Sequence, residues 1–307
     1  MSLVGKWKGR RFRVGKVRGK SVIYVRWGIG LVNAAAAAAA QQMLDVFKII
    51  RVVHFRIAGN ANNSKSIGDV TIPKQYFNCG LWDWLLDDCG KKPNGTLGTS
   101  DKAHLEFGNY NLPKGEAKGE GEVNNELGRM GYSTEQFFSE SGKPNNPQSL
   151  LWAEINFNLL KFASNLEESP NAKSISLYCV GMELEQCLNS SECLPKKPKL
   201  VLGLKGSTPN TCVDNAACRA FLFKTFHLLI WRAQLYLSNG FPVIVIRGLS
   251  DLAGATDQNL IVVFGPLAAL NLSKFYQDML LKCNNITIYM GSLQDGDMLE
   301  IKFPILK

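Results

Sequence analysis

Two short runs constrain this chain more than anything else in it. Ile49 to Phe55 and Pro242 to Ile246 are rich in apolar and β-branched side chains and lack a polar–apolar alternation. A strand with one wet face alternates at a period of two, so a strand without alternation is covered on both faces. Strands of that kind belong to sheets that are at least partly parallel and carry helices on their faces. Candidate helices are present. Asn33 can cap one that runs through seven alanines to Phe47, Asp214 to Phe226 reads as another, and roughly Leu260 to Lys282 as a long third.

Other stretches fill in the pattern. Arg11 to Val14 and Ser21 to Arg26 read as strands joined through Gly15 to Lys20. Ser66 to Pro73 and Leu200 to Leu204 read as short strands, and Ser149 to Leu166 has helical spacing. From about Asn78 to Gln148 the chain turns rich in Gly, Asn, Pro, Lys and Glu, which predicts loops with short elements such as Thr134 to Ser139. Asn284 to Lys307 looks like an appended tail. The longest apolar runs fall short of the roughly 20 residues of a membrane span, so no membrane partner is expected.

Of 307 residues, 35 are Lys or Arg and 26 are Asp or Glu, a formal charge of +9. Nine of the basic residues (Lys6, Lys8, Arg10, Arg11, Arg13, Lys16, Arg18, Lys20, Arg26) lie in the first 26, with no acid among them. The body of the chain is neutral, and aromatic residues seldom interleave with the basic ones. Nucleic acid is therefore not an expected partner. Only three histidines are present, without HxxxH or HExxH spacing, and none of the eight cysteines forms CxxC. No metal site and no Ser-His-Asp triad is expected from these.

The carboxylate best placed for chemistry is Asp251. It follows the strand Pro242 to Ile246 within Arg247-Gly248-Leu249-Ser250-Asp251, and ligands in open α/β sheets gather at the carboxyl ends of strands. It is either a general acid or a cap on the following turn. Gly28 and Gly30 precede the alanine helix and can present N–H groups to an anion or simply make a tight turn. Cys187 and Cys193 bracket a short loop and can pair in an oxidising compartment. Asn62, Asn94, Asn189, Asn271 and Asn285 head N-x-S/T sequons, so a glycoprotein is one hypothesis. No signal peptide is expected in these residues, because no apolar stretch follows the basic start.

Several segments coincide with one family. Gly28-Ile29-Gly30-Leu31-Val32-Asn33-Ala34-Ala35, Ala58-Gly59-Asn60-Ala61, Ile67-Gly68-Asp69-Val70 and above all Phe241 to Gly254 (FPVIVIRGLSDLAG) resemble the nucleoside phosphorylase and nucleosidase superfamily. The resemblance is greatest to its plant branch of bark and vegetative storage proteins and runs from about Gly9 to Leu281. It implies a single α/β domain over residues 9–282 with a central mixed sheet flanked by helices. Residues 78–148 would be a loop-rich insertion and residues 283–307 an unmatched tail. The implied activity is cleavage of the N-glycosidic bond of a purine-type nucleoside by phosphate or water. Asp251 would protonate the leaving base, Ala58, Gly59 and Ser250 would contact substrate, and Cys212 and Val213 would wall the base. Gly28, Gly30 and His54 fall at phosphate-binding positions. No cofactor is implied beyond phosphate as a co-substrate. The partner would be a small nucleoside, with a homo-oligomer common in the family. The branch implies a secretory location, vacuolar or extracellular.

The sequence also departs from that family. Its first strand should precede Gly9 and is expected to be missing here. His54 replaces a phosphate-binding Arg, Arg56 a Gly, and Cys212 the aromatic that stacks on the base. The ribose-binding segment S-V-D-M-E-S-A-A-V is replaced by His227 to Tyr236. One permitted back-translation of that stretch, read one base earlier, encodes the family segment, which points to a shifted frame. As written, the chain is expected to turn over slowly or not at all, the alternative being an inactive storage glycoprotein that keeps the fold.

Overall fold

The structure, a computed structural model, describes residues 4–7, 10–17, 19–25, 50–62, 64–77, 82–85, 104–106, 129–132, 135–137, 148–164, 184–207, 213–231, 242–254, 259–282 and 288–290. In chain order the strands begin with β1 (Val4–Trp7), β2 (Arg10–Val17), β3 (Lys20–Val25), β4 (Arg51–Asn60), β5 (Val70–Ile72) and β6 (Gln75–Phe77). Then come β7 (Trp82–Leu85), β8 (His104–Glu106), β9 (Arg129–Tyr132), β10 (Glu135–Phe137), β11 (Gln148–Leu150) and β12 (Trp152–Glu154). The last are β13 (Leu200–Leu202), β14 (Lys205–Ser207), β15 (Leu228–Trp231), β16 (Val243–Leu252) and β17 (Ile288–Met290). The described helices are α1 (Phe157–Ser164), α2 (Ala216–Phe226) and α3 (Asn259–Lys282).

Among the described residues twelve strands form one mixed sheet, and β7–β11 form two small antiparallel sheets beside it. The fold is thus α/β with a mixed sheet. Its centre is the parallel pair β4 and β16, paired from Val52 opposite Val243 to Asn60 opposite Leu252 with one slip near the end. Seven consecutive residues of β4 and eight of β16 are buried, as the missing alternation requires. Burial of each such aliphatic side chain stabilises by about 1.5–3 kcal/mol relative to exposure. On one side α3 packs against these strands. Phe55 stacks on Tyr276 with ring centroids 5.3 Å apart, and Ile57 packs with Ala268 and Ala269.

Gly248 shows why that approach is so close. A Cβ on it would meet the Ala268 carbonyl oxygen at 2.5 Å. The glycine is therefore a mark of helix-on-strand contact and not of a turn. Accordingly β16 continues through the Arg247–Asp251 segment, which the sequence places in a turn, and ends only at Leu252.

Three other boundaries differ from the sequence reading. Helical spacing over Ser149 to Leu166 resolves into β11, β12 and only then α1, because Trp152 and Ala153 pair with Phe77 and Tyr76. Asn156 starts α1, accepting a hydrogen bond from the Leu159 N–H at 3.1 Å. Asn215 likewise caps α2 and shortens it to Ala216–Phe226. The connection between β2 and β3 contracts to two residues around Gly19, which adopts a left-handed φ of 78°. The chain beyond α3 re-enters the sheet, where β17 lies parallel between β3 and β4. The helix expected over the alanine run falls outside the described residues.

Gly248→Ala is expected to destabilise the protein by about 1–3 kcal/mol, since a methyl must displace helix backbone. Urea denaturation would show a lower midpoint at an unchanged slope. An unchanged midpoint would mean that α3 does not pack as described.

Candidate active site at the end of the central strand pair

The parallel ladder between β4 and β16 slips by one residue at its carboxyl end. Leu249 pairs with Ala58 and Asp251 with Gly59, leaving Ser250 as the extra residue of a bulge. The strand is pinned on its other edge just before the slip. Leu249 N–H donates to Asp69 O at 2.9 Å, and its carbonyl accepts from Gly68 N–H at 2.7 Å. The turn that makes those bonds is itself fixed. The Asp69 carboxylate, 1% exposed, accepts from the Ser66 and Lys199 N–H groups, both at 3.0 Å. Burial pushes this carboxyl above its ordinary range, against the two N–H groups that lower it. Asn271 of α3 completes the attachment, donating to Gly68 O at 3.3 Å and Glu185 O at 2.9 Å.

Past the slip, Asp251 is half-buried. Ser250 Oγ donates to its Oδ1 at 2.6 Å and lies 3.4 Å from Ala58 O. Oδ2 faces Gly59, where an added Cβ would lie 3.5 Å from that oxygen and 3.2 Å from Ala253 Cβ. A side chain at Gly59 would thus touch Oδ2 and crowd Ala253. The chain leaves the site under equally close control. Ala253 N–H donates to Asn60 O at 2.9 Å, and the Arg219 guanidinium of α2 donates to Ala253 O. Gly254 has φ 66° and presses on Asn215, whose N would meet an added Cβ at 2.5 Å.

The structure therefore brings Ala58, Gly59, Ser250 and Asp251 together on adjoining strand ends. Val213, in the segment leading into α2, packs half-buried against the Phe77, Leu222, Phe226 and Leu228 cluster. Cys212, Gly28 and Gly30 lie outside the described residues. Cys187 and Cys193 are joined by a disulfide in an exposed loop, and the Asn189 side chain accepts from the Ser191 and Glu192 N–H groups inside it. The sequon residue Asn271 is fully buried, which leaves no access for a glycan.

His54 sits apart from the carboxylate. It lies five residues upstream of Gly59 on β4, about 16 Å along the strand, and is 1% exposed. Arg247 Nη2 approaches its Nδ1 at 3.1 Å, with Arg56 directly across the strands from Arg247. A guanidinium can only donate, so the ring nitrogen it meets is unprotonated. Burial first, then the Arg247 and Arg56 charges, hold the imidazole well below its usual 6.5. Neither Arg219 nor Asp69 stood out in the sequence. A lone Arg within a helix carries no signal, and Asp69 was visible only as part of the Ile67-Gly68-Asp69-Val70 motif.

Comparison with known proteins identifies the family and the fold. The family described as the Phosphorylase superfamily matches residues 4–148. Bark storage proteins A and B of Populus deltoides are each 32% identical over 258 residues, covering 82% of this chain and 71% of theirs. Among solved structures, the fold is similar to a 5'-methylthioadenosine/S-adenosylhomocysteine nucleosidase of Colwellia psychrerythraea in complex with adenine. That match has a TM-score of 0.54 and 19% identity, and covers 91% of this chain and 85% of the nucleosidase. The futalosine hydrolase of Helicobacter pylori aligns with a TM-score of 0.55 at 14% identity, covering 92% and 88%.

The neutral state of His54 has a pH signature. The unfolded chain protonates this imidazole below about pH 6.5 while the folded one does not, so the unfolded state binds more protons. Stability is expected to fall as pH is lowered from about 6.5 to about 5, and His54→Gln should flatten that slope. Denaturation midpoints across this range check it, and parallel slopes for the two proteins would contradict it.

Proposed function

Because the chain belongs to the Phosphorylase superfamily, with bark storage proteins among its relatives, we propose that it is a nucleoside phosphorylase-like protein acting on the N-glycosidic bond of a purine-type nucleoside, with Asp251 as the general acid. The observation that carries this reading is the bulge, which re-aims Asp251 at the strand ends and sets its Oδ2 beside Gly59. Departure of the base leaves electron deficiency on the sugar and electron density on the base nitrogen. A proton delivered from the carboxyl to that base as the C–N bond breaks removes the second burden. Water or phosphate then captures the sugar. Groups that bind charge only as it develops raise the rate, whereas uniform binding does not. Adenine, bound by the Colwellia psychrerythraea nucleosidase, is the probe this reading suggests for the base subsite.

The rate is expected to be low. The family acid that binds the ribose hydroxyls has no counterpart in His227 to Tyr236. Losing hydrogen bonds to both hydroxyls costs several kcal/mol, on the order of 10² to 10⁴ in rate. The second reading is an inactive storage glycoprotein, favoured by the names of the relatives at 32% identity. Under either reading we place the protein in the secretory pathway, vacuolar or extracellular. The Cys187–Cys193 disulfide supports that location, since such bonds persist in oxidising compartments.

The assay uses purified protein with inosine, adenosine and methylthioadenosine, with and without phosphate, and follows free base. Slow release is expected, reduced by a further factor of about 10² to 10⁴ in Asp251→Asn. Release absent from both would favour the storage reading, and equal release in the two would remove Asp251 as the acid. Gly59→Ala places a methyl beside Oδ2 and should weaken adenine binding about tenfold in calorimetry. Undiminished affinity would move the base elsewhere.

A further inference from the structure

Ser250 has one hydroxyl proton and two acceptors within reach. Its side chain is 1% exposed, so water does not compete for that proton. The 2.6 Å separation from Asp251 Oδ1 is that of a short O–H···O bond, whereas 3.4 Å to Ala58 O lies beyond a good one. Ser250 occupies this place because it is the unpaired residue of the bulge, between Leu249 opposite Ala58 and Asp251 opposite Gly59.

We propose that Ser250 is a positioning residue that, by donating to Oδ1 of Asp251, fixes the carboxyl group and assigns the transferable proton to Oδ2, over Gly59. The inference rests on Asp251 being the acid. With the proton on Oδ1, that O–H would have to donate to Ser250 Oγ, and the Ser250 proton would have to turn to Ala58 O at 3.4 Å. The short bond would persist with its direction reversed, but the proton would then lie between Oδ1 and the buried hydroxyl, facing away from a departing base. With the proton on Oδ2 the same short bond is kept, donated by Ser250, and the proton stands clear of it. As the base departs, the Oδ2–H bond breaks and the base nitrogen gains the proton. The electron pair left on the carboxylate is shared with Oδ1, where the Ser250 bond strengthens as charge grows. The hydroxyl therefore favours the transition state over the resting acid.

Two measurements test this, one of them independent of catalysis. Crystal structures of the full chain and of Ser250→Ala are expected to differ at Asp251, with the carboxylate turned away from Gly59 in the variant. Adenine titration should show affinity about tenfold weaker in Ser250→Ala, with Ser250→Thr within about twofold of the parent. An Asp251 carboxylate in the same orientation in Ser250→Ala would overturn the proposal whether or not adenine binds. Failure of adenine to bind the parent chain would instead count against the base subsite. The crystal structures would then still decide the role of Ser250.

Discussion

Everything at the candidate site depends on one parallel ladder and its single slip. β4 and β16 lie side by side in the interior, buried on both faces, so their register has little freedom. A shift by one residue would exchange every buried face. The slip between Leu249 and Asp251 occurs where that burial ends. The core thus fixes the approach, and the bulge re-aims one side chain out of it. The bonds from Gly68 and Asp69 to Leu249 hold the strand on its far edge, so the irregularity is confined to Ser250 and Asp251.

The same ladder explains an unusual polar interior. His54, Arg56 and Arg247 are buried on the two central strands, with His54 held neutral against the guanidinium of Arg247. Replacing apolar residues at such positions with ionisable ones is costly unless they are satisfied by partners. Thr71 Oγ1 donates to the Arg247 carbonyl at 3.2 Å, tying a third strand into this layer. His54 thus lies within the sheet, upstream of the strand ends where Asp251 stands.

Much of this was legible in the residues. The two unalternating runs announced a covered parallel pair, and FPVIVIRGLSDLAG pointed to Asp251 and its family. What was not legible has physical reasons. Gly248 reads locally as a turn residue, yet it serves the helix α3, and only the contact with Ala268, twenty residues later in the chain, reveals this. The spacing of Ser149 to Leu166 suits a helix, but pairing of Trp152 and Ala153 with β6 overrides it. A bulge leaves no trace in one strand alone, because it is a mismatch of two. Arg219 acts through a backbone carbonyl on another element, a role that no local pattern encodes.

The central claim is that the outer oxygen of Asp251, over Gly59, is the working edge of the site. A crystal structure of the chain with adenine tests it most directly. The expected result is a ring nitrogen within about 3 Å of Asp251 Oδ2, with the base lying along Ala58 and Gly59. Adenine bound elsewhere, with Asp251 making no contact to it, would contradict the account.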